Sequence, residues 1–117
     1  MEPRRRAPRV PTEGWHGRSA VEGEAAPEWT ECQVVDVSVI GAGVVLWAED
    51  DPSLVGRSLV VEVSPPIAES VLLRLVGRVR WASRESTYHV RVGLEFENLS
   101  EIEQTIVKVI EKLQEDS

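Results

Sequence analysis

The sequence predicts a small, mostly β fold, either an antiparallel barrel or a sandwich, that is followed by one helix. From Trp29 to Phe96, segments in which apolar and polar residues alternate are separated by turn residues about every ten positions, as is typical of small all-β domains. After Asn98 the apolar residues recur at helical spacing instead. The chain has 117 residues, of which 42% are hydrophobic, and is therefore long enough for one domain with its own core.

The elements follow from local patterns. Residues 1–13 contain three prolines and four arginines, which predicts a flexible arm, and the barrel domain is predicted to occupy residues 14–117. Residues 14–20 are compatible with a weak first strand, and residues 21–28 form a loop. Alternation predicts strands at residues 29–35, 41–47, 57–63, 71–82 and 87–96. The last two are expected to pair as a hairpin with its turn at residues 83–86.

The last element is predicted to be a helix at about residues 99–115. Asn98 or Ser100 supplies an N-cap, and Glu101 and Glu103 lie in the first turn, where carboxylates suit the helix dipole. One apolar stripe, which predicts packing against the barrel, is formed by Ile102, Ile106, Val109, Ile110 and Leu113.

Composition and motifs exclude several classes of function. No apolar run approaches the ~20 residues that span a bilayer, and no signal peptide follows Met1, so we expect a cytoplasmic protein without membrane insertion. One cysteine, Cys32, and two histidines leave no ligand set for a metal. Neither a nucleophile motif nor a glycine-rich phosphate loop occurs. We therefore expect no enzyme and no cofactor.

Two clusters of functional residues remain. Residues 4–9 (RRRAPR) give the first nine residues a charge of +3. Because the net charge of the chain is −7, residues 10–117 carry −10. Guanidinium groups can clamp a phosphate, pair with guanine or stack on a base. The second cluster is Asp36-x-Ser38-x-x-Gly41, where Asp36 and Ser38 point to the same face if the segment is a strand. A carboxylate there can accept from guanine N1–H and the N2 amine, and the alternative interpretation is an ordinary Asx or Ser turn between two strands.

Together, Arg5-x-x-x-Arg9 and Asp36-x-Ser38-x-x-Gly41 resemble the two-part signature of PilZ domains, which bind the bacterial second messenger cyclic di-GMP. Residues 79–81 (VRW) and 92–96 (VGLEF) are similar to the late hairpin of that family. The resemblance extends from the arm to the C-terminal helix. It implies a six-stranded antiparallel β-barrel of the PilZ type with a C-terminal α-helix and a flexible N-terminal arm.

The resemblance also implies a ligand site. The implied cyclic di-GMP-binding residues are Arg4, Arg5, Arg9, Asp36, Ser38, Gly41 and Trp81. Arg5 and Arg9 are expected to contact phosphate and guanine. An arginine at the position of Arg4 accompanies, in the family, the binding of an intercalated ligand dimer. Trp81 resembles a late-strand aromatic residue that stacks on guanine, and a core position is the alternative for it.

The expected function is that of a receptor that binds cyclic di-GMP, changes conformation and signals to an unidentified downstream protein. Two alternatives are an adaptor of the same fold that does not bind the nucleotide and a barrel whose basic arm contacts nucleic acid. The intact signature disfavours the first alternative. The charge of −10 on the body disfavours the second, so no nucleic acid is expected as a partner.

Overall fold

The computed structural model describes residues 10–23, 28–48, 54–64, 72–97 and 100–115. Within these ranges the elements are β1 Val10–Val21, β2 Thr30–Val37, β3 Gly41–Trp47, β4 Ser58–Val63, β5 Leu73–Ser86, β6 His89–Phe96 and α1 Glu101–Glu115. The six strands close into an antiparallel barrel in the order β1-β2-β3-β6-β5-β4. This confirms the barrel with a C-terminal helix and decides against the sandwich.

The core lies inside the barrel because alternation directs every second side chain inward. On β5 each second residue from Leu73 to Val79 is buried, and on β2 Val34 and Val37 are fully buried. Trp15 of β1, only 1% exposed, is the largest side chain among the fully buried residues of the described chain. The described part of the barrel therefore has a mainly apolar interior, in which Ser19 is a buried polar residue beside Cys32.

Among the described side chains of the helix, Glu103 and Val107 fix it to the barrel, and Ser100 caps its start. Ser100 caps it, since the N–H of Glu103 donates to Ser100 Oγ at 3.2 Å, and Glu103 also accepts from the N–H of Arg74 on β5 at 3.0 Å. Val107 is fully buried and belongs to the core. The side chains of the predicted stripe, Ile102, Ile106, Val109, Ile110 and Leu113, lie outside the described part. No helix in the described residues is both long and apolar enough to cross a membrane.

The first strand begins earlier than the sequence indicated. Residues 10–13, which the prediction assigned to the arm, lie in β1, where Val10 pairs with Val37 and Pro11 pairs with Asp36. The register then shifts between Pro11 and Trp15. Such an irregularity accommodates proline, which has no N–H for the ladder. Residues 1–9 lie outside the described residues, and a flexible arm there stays a prediction.

The hairpin of β5 and β6 also turns later than predicted. Its strands extend to Ser86 and start again at His89, so the turn lies at residues 87–88 rather than 83–86. Arg84 explains the difference, because its Nη1 donates to the carbonyl oxygens of Ser86 and Thr87, each at 2.9 Å. The polar residues before the turn are exposed strand residues and not a loop.

Candidate functional site

A row of cross-strand partners crosses four neighbouring strands on the outside of the barrel. Asp36 of β2 pairs with Gly43 of β3, Gly43 pairs with Gly93 of β6, and Gly93 pairs with Trp81 of β5. The residues next to both glycines in sequence are buried in the core, so the glycines face outward. The row is thus a strip of outward-facing backbone on which the Asp36 carboxylate lies over Gly43 at one end and the Trp81 indole covers Gly93 at the other.

Both ends of the row follow an irregularity in strand pairing. The register shifts between Val34 and Asp36 on β2, and between Val79 and Trp81 on β5. A bulge inserts an extra residue and re-aims the side chains after it. On β5 its effect is that Arg80 and Trp81 are both exposed, although they are consecutive. The bulges therefore set where the functional side chains point.

The Asp36 carboxylate lies over Gly43, at the β2 end of the row. Its Oδ1 accepts from the N–H of Gly43 at 3.0 Å, and its Oδ2 is 3.4 Å from Nη2 of Arg91. A Cβ on Gly43 would be 2.8 Å from Oδ2, so only glycine leaves the space that this carboxylate occupies. The side chain is 21% exposed, which leaves it accessible to a ligand.

Ser38 and Gly41 lie at the ends of the β2–β3 connection. The N–H of Ser38 donates to Gly41 O at 2.9 Å, and the N–H of Ile40 donates to Ser38 Oγ at 3.2 Å. The Ser38 side chain is fully buried. The turn interpretation thus describes what Ser38 does in this structure: it fixes the turn that follows Asp36. A direct contact of Ser38 or Gly41 with ligand stays a prediction.

Trp81 is on the surface and not in the core. It is 47% exposed, and its indole covers Gly93 so closely that an added Cβ would overlap Nε1 and Cε2 and lie 2.9 Å from Cδ1. Beside it, Arg80 forms an ion pair with Glu95. The outer face of the ring is open, and a base could stack on it.

The arm arginines Arg4, Arg5 and Arg9 lie outside the described residues. The described chain begins one residue after Arg9, where Val10 and Pro11 pair with β2 at Val37 and Asp36. The described chain thus begins beside Asp36, in the second half of the signature. An arm whose arginines hold the ligand against the barrel, as the resemblance implies, stays a prediction.

Sequence reasoning missed Gly43, Gly93 and Arg91. The alternation of apolar residues predicts that both glycines face outward. It does not predict that they pair with each other, because that depends on the register of the strands. Arg91 lies two residues before Gly93 and so on the same face of β6, a signal that was available in the sequence. Among the described residues, no three His, Cys, Asp or Glu side chains are grouped as a metal site requires.

Comparisons with known proteins identify the family and the fold. The family model described as "PilZ domain" matches residues 3–112. The PilZ domain of YcgR from Escherichia coli, solved with c-di-GMP, is 17% identical with a TM-score of 0.75 over 97% of this chain and 93% of that chain. The inhibitor of motility MotI/DgrA from Bacillus subtilis is 18% identical with a TM-score of 0.77 over 99% of this chain and 54% of that chain.

A third structure, YcgR from Escherichia coli in complex with c-di-GMP, is 18% identical with a TM-score of 0.71 over 97% of this chain. This chain covers 47% of that structure and about half of the Bacillus subtilis protein. At these identities the structural likeness concerns the fold. No curated protein matches the sequence.

Proposed function

The chain belongs to the PilZ domain family, and from that premise we propose that it is a receptor and adaptor for cyclic di-GMP. One observation carries the proposal: the Asp36 carboxylate and the Trp81 indole lie at the two ends of one row of cross-strand partners on the outer face of the barrel, each packed over a glycine. The same chain holds both halves of the family's binding signature.

The chemistry of the row suits guanine. A carboxylate accepts from guanine N1–H and from the N2 amine, which are adjacent donors on one edge of the base. An exposed indole offers a face for stacking, and the glycines beneath the two side chains let the carboxylate and the indole lie directly against the backbone. The solved PilZ domain of Escherichia coli YcgR contains c-di-GMP, which supports the same ligand class here.

The arm supplies the phosphate contacts in this proposal. Arg5 and Arg9 bind phosphate and guanine, and Arg4 adds a charge that suits two stacked ligands with four phosphates. We therefore expect two ligands per chain at saturation and one for Arg4→Leu. Isothermal titration measures this directly, and a wild-type stoichiometry of one would contradict it.

Signalling follows from closure of the arm. The arginines of residues 1–9 repel one another until phosphate groups neutralise them, so ligand binding favours an arm that lies against the barrel near Asp36. The changed surface is then offered to a downstream protein. The proposal makes the chain a cytoplasmic, non-enzymatic adaptor without nucleic acid as a partner. The likeness to MotI, an inhibitor of motility, supports an adaptor role but does not name the partner.

The test is isothermal titration of the full chain with cyclic di-GMP, with cyclic di-AMP, GTP and a short DNA duplex as competitors. We expect binding of cyclic di-GMP alone. Asp36→Ala and Arg9→Ala should each weaken it by about 2 kcal/mol or more, since each removes a charge-assisted contact. Trp81→Ala should weaken it as well, through loss of stacking.

The matched control is Trp29→Ala. Trp29 is also exposed, at 38%, but it lies just before β2, at the end of that strand opposite to Asp36. Its ring centroid is 4.1 Å from Cζ of Arg18 on β1. Its replacement should leave binding unchanged. A wild-type protein that binds no cyclic di-GMP would refute the receptor and leave the alternative of an adaptor that works by protein contact. Binding of DNA instead would favour the nucleic-acid alternative.

A further inference from the structure

Arg91 is a charged residue at the row that neither half of the signature contains. It lies on β6, where it pairs with Val45 of β3, and its Nη2 is 3.4 Å from Oδ2 of Asp36 on β2. Strand β3 separates β6 from β2, so the two side chains meet above it. They can meet there because Gly43 of β3 carries no side chain.

The guanidinium of Arg91 has donors to spare. Charge-assisted N–H···O contacts are about 2.7–2.9 Å long, so the 3.4 Å contact with Asp36 is loose. Its Nη1 is 4.0 Å from Glu85, too far for a hydrogen bond, and its Nε is buried without an acceptor among the described residues. A buried N–H without an acceptor is unusual in a folded protein. The Nη groups of this side chain, which is 38% exposed, lie beside the accessible carboxylate of Asp36, where they can donate to an acceptor from a ligand.

We propose that Arg91 is a specificity-determining ligand contact, which donates to O6 of the guanine whose N1–H and N2 amine Asp36 accepts. This inference rests on the proposed binding of cyclic di-GMP. The guanine edge carries an acceptor, O6, next to two donors, N1–H and the N2 amine. A guanidinium next to a carboxylate offers the complementary order of donor and acceptors. Adenine places an amine donor where guanine has O6, and that donor would face the donors of Arg91.

Binding needs only a small rearrangement of this pair. The Arg91 and Asp36 side chains are 38% and 21% exposed, and partly exposed ion pairs contribute little to stability. The contact can therefore loosen while both groups turn to the base. Asp36 keeps its hydrogen bond from Gly43 meanwhile, so the carboxylate stays oriented.

The experiment compares three cyclic dinucleotides on the full chain by isothermal titration. Cyclic di-IMP keeps O6 and N1–H but lacks the N2 amine, and cyclic di-AMP lacks all three groups. Arg91→Met should lower the affinity for cyclic di-GMP and for cyclic di-IMP by the same factor, about ten- to hundredfold. Asp36→Ala should in addition remove the preference of the wild type for cyclic di-GMP over cyclic di-IMP.

The matched control is Arg74→Met. Arg74 of β5 is also a strand arginine with a loose carboxylate contact, 3.7 Å from Nε to Glu62 Oε2, and its replacement should change none of the affinities. If Arg91 only positions Asp36, Arg91→Met will remove the cyclic di-GMP preference as Asp36→Ala does, and the direct contact is refuted. Unchanged affinities in Arg91→Met refute the inference and leave the receptor intact. A wild-type chain that binds none of the dinucleotides refutes both.

Discussion

One methyl group at Gly93 tests how the site is built. In Gly93→Ala the new Cβ would overlap the Trp81 indole, and because that ring is 47% exposed, the ring and not the strand should give way. About half of the side chain is covered, which for a large aromatic residue is roughly 80–130 Å². At ~25 cal/mol per Å² its displacement costs at most about 2–3 kcal/mol. Alanine returns about 0.5–1 kcal/mol relative to glycine in a strand, so we expect a net loss of about 1–2 kcal/mol.

Gly17→Ala is the comparison variant. Its Cβ would overlap the carbonyl oxygen of Glu62 and lie 2.5 Å from Cγ1 of Val63, so here the obstacle is the backbone of β4. Backbone cannot rotate away as an exposed ring can, and the two strands must separate. We expect Gly17→Ala to destabilise the barrel far more than Gly93→Ala does, or to prevent folding.

Urea unfolding followed by circular dichroism measures both losses. A ¹H–¹⁵N spectrum resolves the indole N–H groups of the four tryptophans, and Trp81→Phe assigns the one that matters. Gly93→Ala should shift that resonance most and weaken cyclic di-GMP binding while the protein stays folded. An unmoved Trp81 resonance, or a destabilisation equal to that of Gly17→Ala, would refute the reasoning.

Four further results are expected. Ser38→Ala should lower the free energy of unfolding by about 1–2 kcal/mol in urea titrations, because the turn loses the buried hydroxyl that accepts from a backbone N–H. Burial raises the pKa of the Cys32 thiol to about 11, so a thiol reagent at pH 8 should modify it only in urea, and rapid labelling of the native protein would contradict this. Because the thiol ionises at a lower pH in the unfolded chain, the free energy of unfolding should fall as the pH rises toward 11. The pKa of Glu97 is lowered, mainly by the hydrogen bond from Ser58 and next by that from Arg78. Ser58→Ala should therefore raise this pKa in an NMR titration, and an unchanged pKa would exclude the Ser58 hydrogen bond as the cause of the shift. Trypsin should cut after Arg9 more slowly at saturating cyclic di-GMP, and equal rates would exclude arm closure.

The strands and the helix were predictable because their signals are local. Alternation marks β5 and β6, and Ser100 with Glu103 marks the start of α1. Closure into a barrel was not predictable from local signals, since it depends on the pairing of β1 with β4, which are far apart in sequence. The barrel was predicted from the resemblance to PilZ domains. The sequence of β1 contains Pro11 and Gly17 and resembles a weak strand, although Gly17 is what allows its close approach to β4.

The sequence indicated Asp36 and Trp81 as candidate site residues, but not the strand pairing that places them in one row with Arg91 beside Asp36. Alternation alone would direct one of two consecutive residues inward, yet the bulge on β5 exposes both Arg80 and Trp81. The same loss of period on β2 sets which residue of β3 lies beside Asp36. A short motif predicts which residue types form the candidate site. The bulges determine which residues distant in sequence, such as Arg91, lie beside them.

The adjacent glycines Gly43 and Gly93 contribute no side chains of their own to the middle of the barrel wall, and the Asp36 carboxylate and the Trp81 indole lie over them instead. A strand glycine forgoes roughly 0.5–1 kcal/mol relative to alanine, so the wall gives up stability where the ligand is proposed to bind. In an open sheet a weakened strand pair could separate into an edge that pairs with other chains. Here the hydrogen-bonded ring is closed, so both strands keep a partner on each side. The fold can thus place two glycines side by side at the proposed site without the aggregation hazard of an open edge.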